Sequence, residues 1–457
     1  MSIRILNHHV PLPCFVLMLL EALFAAAALY LVTSQGGTPV PGWRSSLLFA
    51  GLVVLSASAM GLYNLRLRTH FFGLALRFIL MAALVLAAVV AVHLAFPPSR
   101  LSAVSYVYAI SLVVLAALLT RYLLGRFFNE GFLRSRVLVY GAGQRADSIT
   151  KLRRRTDRLG FTIVGFLPAE GEKIAIPVEK LVDCAGDLFG YCKRQKIDEI
   201  VVAMDDRRLA FPIRDLLHCR INGIDVIDIV EFLERETATL RLDLLKPSWM
   251  IFSPGFERSW ARDLSGRLFD VVASLLLLAV AWPLMLLAAI AIKLEDGIRA
   301  PVLYRQCRVG KDNRMFTVLK FRSMQVDAES DGVARWASLE DGRVTRVGAW
   351  LRPSRIDELP QLWNILRGDM RFVGPRPERP EFVSGFAENL PYYSERHSVP
   401  PGLTGWAQLR YAYGSSEKDA IEKLKYDLYY VKHHNLMFDL VILIQTVEVI
   451  LFGKGAR

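Results

Sequence analysis

The chemistry-bearing residues of this 457-residue chain concentrate around Asp357-Glu358, two adjacent carboxylates with Arg352 and Arg355 just ahead of them. Paired anions beside arginines suit the handling of a phosphate–Mg2+ unit, one carboxylate attacking phosphorus while its neighbour holds the metal. Pro360 follows three residues after Asp357, and proline is tolerated only in the first turn of a helix, so a helix is expected to begin near Asp357. Its positive dipole end would keep both carboxylates ionised. An isolated Asp-Glu pair is usually a solvated first turn, but this one has company. Lys320 and Arg322 in KFRSM (320–324) and Arg376 in GPRP (374–377) supply donors for a diphosphate. The Gly374-Pro375-Arg376-Pro377 turn fixes the backbone around its arginine, holding the guanidinium ready.

Other constellations carry less. The five cysteines (Cys14, Cys184, Cys192, Cys219, Cys307) form no CxxC pair and read as reduced thiols facing the cytosol. His433 and His434 are adjacent rather than i, i+4, so they cannot offer a metal one helical face. Gly141-x-Gly143 with Ala146 resembles a dinucleotide fingerprint, but FTIVGFL (161–167) is followed by Pro168-Ala169 before Glu170. A ribose-binding acid should end that strand. Tight-turn glycines without a cofactor are the expectation; a bound nucleotide or regulatory ligand is the alternative.

The elements that must position these residues fall into two kinds. Hydrophobic residues make up 53% of the chain and mean hydropathy is +0.31, too apolar for an ordinary soluble protein. The net charge of +12 is uneven: residues 1–136 hold ten basic side chains against two acidic ones. A basic excess flanking the most apolar region suits a membrane surface and argues against a nucleic-acid partner. Four apolar stretches, about 12–32, 47–65, 73–95 and 103–124, approach the ~20 residues a bilayer-crossing helix needs. The first is too long, and lacks the cleavage site, for a signal peptide. Arg4, Arg66, Arg68, Arg121, Arg126, Arg134 and Arg136 fall on one side, Arg44 and Arg100 on the other, which puts both ends of the bundle in the cytoplasm. Glu21 lies mid-span and is expected to be protonated or hydrogen-bonded within the bundle rather than to mark a transport path.

A fifth stretch, 271–292, has no charged residue but contains Pro283. Basic residues flank both sides: Arg258, Arg262 and Arg267 before, Lys293, Arg299 and Arg305 after. A helix that enters the bilayer, bends at the proline and returns keeps both clusters in the cytosol. Between the bundle and this stretch the runs RVLVYG (136–141), FTIVGFL, DEIVVAM (198–204) and GIDVIDI (223–229) read as strands alternating with helices, a mostly parallel α/β layout. The apolar tail 436–452 carries Asp439 and Glu448 out of phase, leaving open whether it packs on the domain or lies in the interface.

KFRSM, the run SRIDELPQLWNILRGDMRFVGPRPERPEF (354–382) and PGLTGWAQ (401–408) together resemble the bacterial sugar transferase family, the polyprenyl-phosphate glycosyl-1-phosphate transferases. The resemblance covers about 262–457. The layout ahead of it is similar to the large exopolysaccharide-initiating members with four N-terminal transmembrane helices. It implies an α-helical membrane bundle (1–128), a Rossmann-like parallel α/β domain (129–255), a linker and re-entrant membrane helix (256–299) and a small α/β catalytic domain (300–457).

The implied reaction moves a hexose-1-phosphate from a UDP-sugar to undecaprenyl phosphate, releasing UMP, through a phosphosugar held covalently on the enzyme. By motif, Asp357 is the nucleophile, Glu358 assists it and the Mg2+ site, and Arg352 and Arg376 contact phosphate. Lys320 and Arg322 line the same pocket. The family often has a small residue where Arg355 stands, and Ser-Pro where this chain has Trp282-Pro283. The setting implied is the bacterial inner membrane, multi-pass, with the catalytic domain cytosolic and the sugar glucose or galactose by family habit. A homodimer is left open. Two rivals remain. A membrane-anchored nucleotide-sugar dehydratase needs Tyr-x-x-x-Lys, and Tyr191 meets Gln195 at that offset. A non-catalytic assembly scaffold would tolerate loss of Asp357.

Overall fold

The structure, a computed structural model, describes residues 2–5, 8–35, 43–60, 62–63, 71–95, 103–127, 134–152, 160–206, 208, 211–245, 247–326, 342–411 and 416–452. Arg66, Arg68 and Arg100, counted among the loop charges, lie outside them, as do residues 412–414 and the side chains of Arg4, Cys14, Arg126 and Glu448. The chain divides into two units, Met1–Leu244 and Leu245–Arg457.

The first unit opens with a short antiparallel hairpin, β1 (Ser2–Ile5) and β2 (His8–Pro11), and four helices. These are α1 (Leu12–Gln35), α2 (Trp43–Ala59), α3 (Phe71–Ala95) and α4 (Ala103–Phe127). Ala25, Leu29, Phe49, Val53, Val85 and Ala109 pack between them, while Leu23, Leu47, Ile79 and Leu115 face outward. An apolar exterior of this kind fits lipid, where every backbone group is satisfied within its own helix. Among the described residues, three helices are long and apolar enough to cross a membrane, their windows being Phe15–Ser34, Val104–Arg121 and Trp260–Asp296; Trp43–Ala59 and Arg77–Val90 are shorter apolar segments. Glu21 is buried and hydrogen-bonded: it accepts from Tyr63 Oη at 2.5 Å and pairs with Arg121. The α2 helix ends before its apolar run does, because Leu62 N turns back to Ala57 O at 2.9 Å, and this brings Tyr63 to Glu21.

The same unit continues with β3 (Ser135–Tyr140), α5 (Gln144–Thr150), β4 (Phe161–Leu167), α6 (Leu188–Arg194), β5 (Glu199–Val202), α7 (Ile213–Ile221), β6 (Asp225–Asp228) and α8 (Ile229–Thr237). All four strand runs read from the sequence are strands, in the order β4–β3–β5–β6, every pairing parallel. Near-continuous apolar strands are what a sheet covered by helices requires. Its core includes Leu138, Ile200, Val202 and the buried Cys184, Cys192 and Cys219, all free thiols, as is the exposed Cys307.

The second unit begins with α9 (Pro247–Phe252) and the 37-residue α10 (Trp260–Asp296), which continues as helix through Pro283. Both ends of α10 are fastened to the same unit. Near its start, Arg267 donates to the Ile365 and Leu366 carbonyls, and Asp270 Oδ1 accepts from Phe372 N at 3.2 Å. Near its end, Ala288 and Ile292 pack with Phe321 and Leu351, and Glu295 accepts from Arg346 N and Val347 N at 2.7 and 2.9 Å. Between Ser274 and Ala288 most of its large apolar side chains are exposed, Val280 and Trp282 among them.

The remainder is the antiparallel hairpin β7 (Leu303–Val309) and β8 (Met315–Phe321), α11 (Arg346–Leu351), a 3-10 turn (Ile356–Glu358), α12 (Gln361–Arg367), β9 (Arg371–Val373), α13 (Pro380–Asn389), β10 (Gly402–Thr404), α14 (Trp406–Arg410), α15 (Glu417–His433) and α16 (Leu436–Phe452). The tail helix α16 packs on this unit: Phe438 and Ile442 are buried, Phe438 lies edge-on to Trp406, and Thr446 bonds Thr404 at 2.9 Å.

Candidate active site

Asp357 and Glu358 sit on the 3-10 turn, not in α12, which starts only at Gln361. The turn is entered through Arg355 in the left-handed region, φ 58° and ψ 16°, a conformation that costs a residue with a Cβ roughly 1–2 kcal/mol. Two fastenings hold the turn, one to the β7–β8 hairpin and one to the end of α10. Asn364 of α12 accepts from Leu319 N at 3.0 Å and donates to Thr317 O at 2.7 Å, extending the edge of β8 with a side-chain amide. Ahead of the turn, the carboxylate of Glu295 caps α11 together with Thr345, which accepts from Gly348 N at 2.9 Å. Arg352 is the C-cap of α11, so the end of α10 helps position an arginine next to the dyad.

Lys320 arrives from β8 with Nζ 3.3 Å from Glu358 Oε1, and Arg355 Nη1 lies 3.4 Å from the same oxygen. Burial opposes the charge on Glu358, but Lys320, Arg376 and Arg355 outweigh it and hold its carboxyl below the usual glutamate range. Asp357 differs. It is 8% exposed, and burial, reinforced by the charge of Glu358, pushes its carboxyl up to about 6 against the pull of Lys320, Arg355 and Arg352. The dipole argument points to a low proton affinity for both carboxylates; for Asp357 burial raises it instead, so this carboxyl is ionised only above about pH 6. Its Oδ1 has no hydrogen-bond partner among the described residues.

Arg376 reaches the cluster from the loop after β9. That loop is held by backbone against backbone: Gly402 N donates to Pro375 O and Gly374 N to Thr404 O, at 3.0 and 2.9 Å. A Cβ on Gly374 would lie 2.4 Å from Pro400 O, so the GPRP and PGLTG segments need their glycines for close approach. Behind the loop, Arg396 and Asp427 form a buried ion pair at 2.8 Å, and Arg396 Nη2 also donates to Arg376 O at 2.9 Å. The two cations of KFRSM part company. Lys320 joins the dyad, whereas Arg322 is buried and pairs with Asp296 at the end of α10, 2.6 Å away. Pro283 lies far along α10, within its exposed apolar middle.

Asn364, Arg396, Asp427, Glu295 and Asp296 went unread in the sequence. A polar Asn amid the apolar LWNIL run was the one available signal; the others look like ordinary surface charge until partners from distant segments are known. For a divalent cation the donor set fits: two hard carboxylates, one with an orphaned buried oxygen, beside side chains that attract phosphate. Among the described residues no group of three or more His, Cys, Asp or Glu is arranged to hold a metal alone. Mg2+ is commonly held by one or two carboxylates completed by substrate phosphates and water.

The glycine turn of the α/β layer is organised differently. Gly141 takes φ 121°, where a Cβ would meet the Ala203 backbone at 2.7 Å. The N–H groups around it are occupied by carboxylates: Glu172 accepts from Ala142 N and Asp205 N, and Asp205 from Gln144 N and Arg145 N, at 2.8–2.9 Å. This weighs against dinucleotide chemistry and so against the dehydratase reading.

Paired carboxylates ringed by lysine and arginine, on a unit that carries a long apolar helix, suit phosphoryl-group chemistry beside a membrane. Residues 261–453 match the bacterial sugar transferase family. The chain is 39% identical over 266 residues to the UDP-N-acetylgalactosamine-undecaprenyl-phosphate N-acetylgalactosaminephosphotransferase of Aeromonas hydrophila, covering 57% of this chain and 61% of that one. It is 34% identical over 332 residues to the undecaprenyl-phosphate glucose phosphotransferase of Komagataeibacter xylinus, covering 71% and 60%. To the UDP-glucose:undecaprenyl-phosphate glucose-1-phosphate transferase of Escherichia coli (strain K12) it is 32% identical over 331 residues, covering 70% and 68%. The chain thus spans about three-fifths of the first two relatives' length. It belongs to the bacterial sugar transferase family.

Proposed function

We propose that this chain transfers a hexose-1-phosphate from a UDP-sugar to undecaprenyl phosphate, releasing UMP, as the first membrane step of exopolysaccharide synthesis. The observation that carries the reading is Asp357, buried yet without a hydrogen-bond partner on Oδ1 among the described residues, within a cluster that includes Lys320, Arg352 and Arg355. An unsolvated carboxylate oxygen is a better nucleophile than a hydrated one, and the cations favour the charge that gathers on phosphorus oxygens.

In the first half-reaction an Asp357 oxygen bonds to the β-phosphorus as the bond to the bridging oxygen breaks, and that oxygen leaves with UMP and the electron pair. In the second, a phosphate oxygen of undecaprenyl phosphate bonds to the same phosphorus and the Asp357 oxygen departs. Arg376 and Arg352 bind phosphate, and Lys320 holds Glu358 in place. Mg2+, held by Asp357 and Glu358, supplies charge neutralisation at the diphosphate when bound.

The four helices α1–α4 are read as spans and α10 as a re-entrant helix in the bacterial inner membrane, with the catalytic unit cytosolic. Support comes from the fastening of both ends of α10 to one unit, its exposed apolar middle around Pro283, and the basic clusters on both flanks. A site on that unit meets a lipid-borne phosphate and a water-borne nucleotide at one boundary. The test gives membranes holding the protein a UDP-sugar and Mg2+ without acceptor. UMP release with one phosphosugar added to the intact mass supports the proposal; no adduct, with full turnover in Asp357→Asn, overturns it.

A further inference from the structure

We propose that Arg355 is a further donor-binding residue, its guanidinium taking a phosphate oxygen of the nucleotide-sugar diphosphate while its Nη1 edge stays on Glu358. This rests on the reading of the dyad given above. Three observations point to it. The first is economy: Lys320 already approaches the Glu358 oxygen at 3.3 Å, and the Arg355 contact to the same oxygen is the longer, at 3.4 Å. An i, i+3 pair with a 37% exposed arginine side chain stabilises little. Glu358 thus already has a closer cationic partner in Lys320.

The second is backbone strain. Arg355 adopts φ 58°, a region glycine or asparagine enters at lower cost. Neither the fold nor the ion pair explains why a long cation occupies it. The third is spare donor capacity. A guanidinium carries five N–H donors in a fixed fork. Among the described residues, Arg355 uses one, on Glu358. Beside Lys320, 24% exposed, and Glu358, 12% exposed, Arg355 is the most solvent-accessible of the three. A planar fork with one edge anchored and the other open matches bidentate capture of a phosphate.

The experiment uses the full chain in lipid nanodiscs with UDP-glucose and UDP-N-acetylgalactosamine as donors, comparing Arg355→Ser, Arg355→Gly and Arg355→Lys. The Ser and Gly variants are expected to raise donor KM by about tenfold or more, the loss of one hydrogen bond to a charged group. The KM for undecaprenyl phosphate should move by less than about twofold, and competitive inhibition by UDP alone should weaken by the same factor as donor binding. The Lys variant should fall between, keeping the charge and losing the fork. Arg355→Gly suits the left-handed backbone, so its melting temperature should match or exceed the parent's, which separates lost binding from lost folding. Unchanged donor KM in both Ser and Gly variants overturns the assignment. So does a fall in kcat and melting temperature with donor KM unmoved, the signature of a purely structural residue. Asp357→Asn, run in parallel, distinguishes the failures: if it keeps full turnover the proposed function is wrong, and if it is dead while Arg355→Ser behaves as the parent, only the role of Arg355 is wrong.

Discussion

At the glycine turn after β3, two carboxylates, Glu172 and Asp205, accept from four backbone N–H groups at 2.8–2.9 Å. At the turn before α12, two carboxylates face side-chain cations instead, and Asp357 Oδ1 is left without a partner among the described residues. Both turns have what a sequence reader associates with phosphate: glycines at a strand end in one, arginines at a helix start in the other. In the first the chain supplies its own anions, so the donors are spent. In the second the anions are the reactive groups, and the donor-rich arginine at the rim still has capacity. Whether such a turn is a site depends on what fills it, and only the packing of distant segments decides that.

The comparison breaks most visibly at Asp357. Asp357→Asn is expected to lower turnover by about a thousandfold or more, measured as UMP release. Because the aspartate binds its proton more tightly when folded, near pH 6, than in the unfolded chain, near pH 4, its contribution to stability falls as pH rises between those values. The Asn variant, neutral throughout, should therefore melt at or above the parent's temperature at pH 7. Inactivity with a lower melting temperature would mean the fold was lost, not the nucleophile. Next, Arg376→Ala should cost about a hundredfold in turnover, the scale of one preorganised donor lost at a charged centre; a loss under threefold would remove the GPRP arginine from the site.

Ionisation sharpens the contrast further. An attacking carboxylate must be charged, so donor kcat/KM should rise about tenfold per pH unit below pH 6 and level off above it. An acid limb near pH 4 would show Asp357 to be solvated rather than desolvated. The smallest effect belongs to the other turn. Glu172→Gln with Asp205→Asn should leave turnover within about twofold, and NAD should not raise the melting temperature of the parent chain. A clear stabilisation by NAD would erase the distinction between the two turns.

Much of the arrangement follows from local pattern. The apolar runs placed α1, α3 and α4 nearly to the residue, since a long run of apolar residues favours one continuous helix. Four strands were readable as short apolar runs rich in Val, Ile and Leu, and the Asp357 and Arg376 motifs stood out as reactive residue types at close spacing. What was not readable depends on partners far along the chain. Lys320 and Arg322 are two residues apart, yet one meets Glu358 and the other Asp296, a choice made by where the end of α10 packs. Asn364 matters through Thr317 and Leu319 on a strand separated from it by more than forty residues. The raised proton affinity of Asp357 depends on burial, which the dipole argument could not weigh. Composition and periodicity are short-range properties, and they set which segments become helix, strand or membrane helix. Desolvation, ion pairing and the filling of backbone donors are properties of three-dimensional neighbourhoods, and these arise only once the chain has folded.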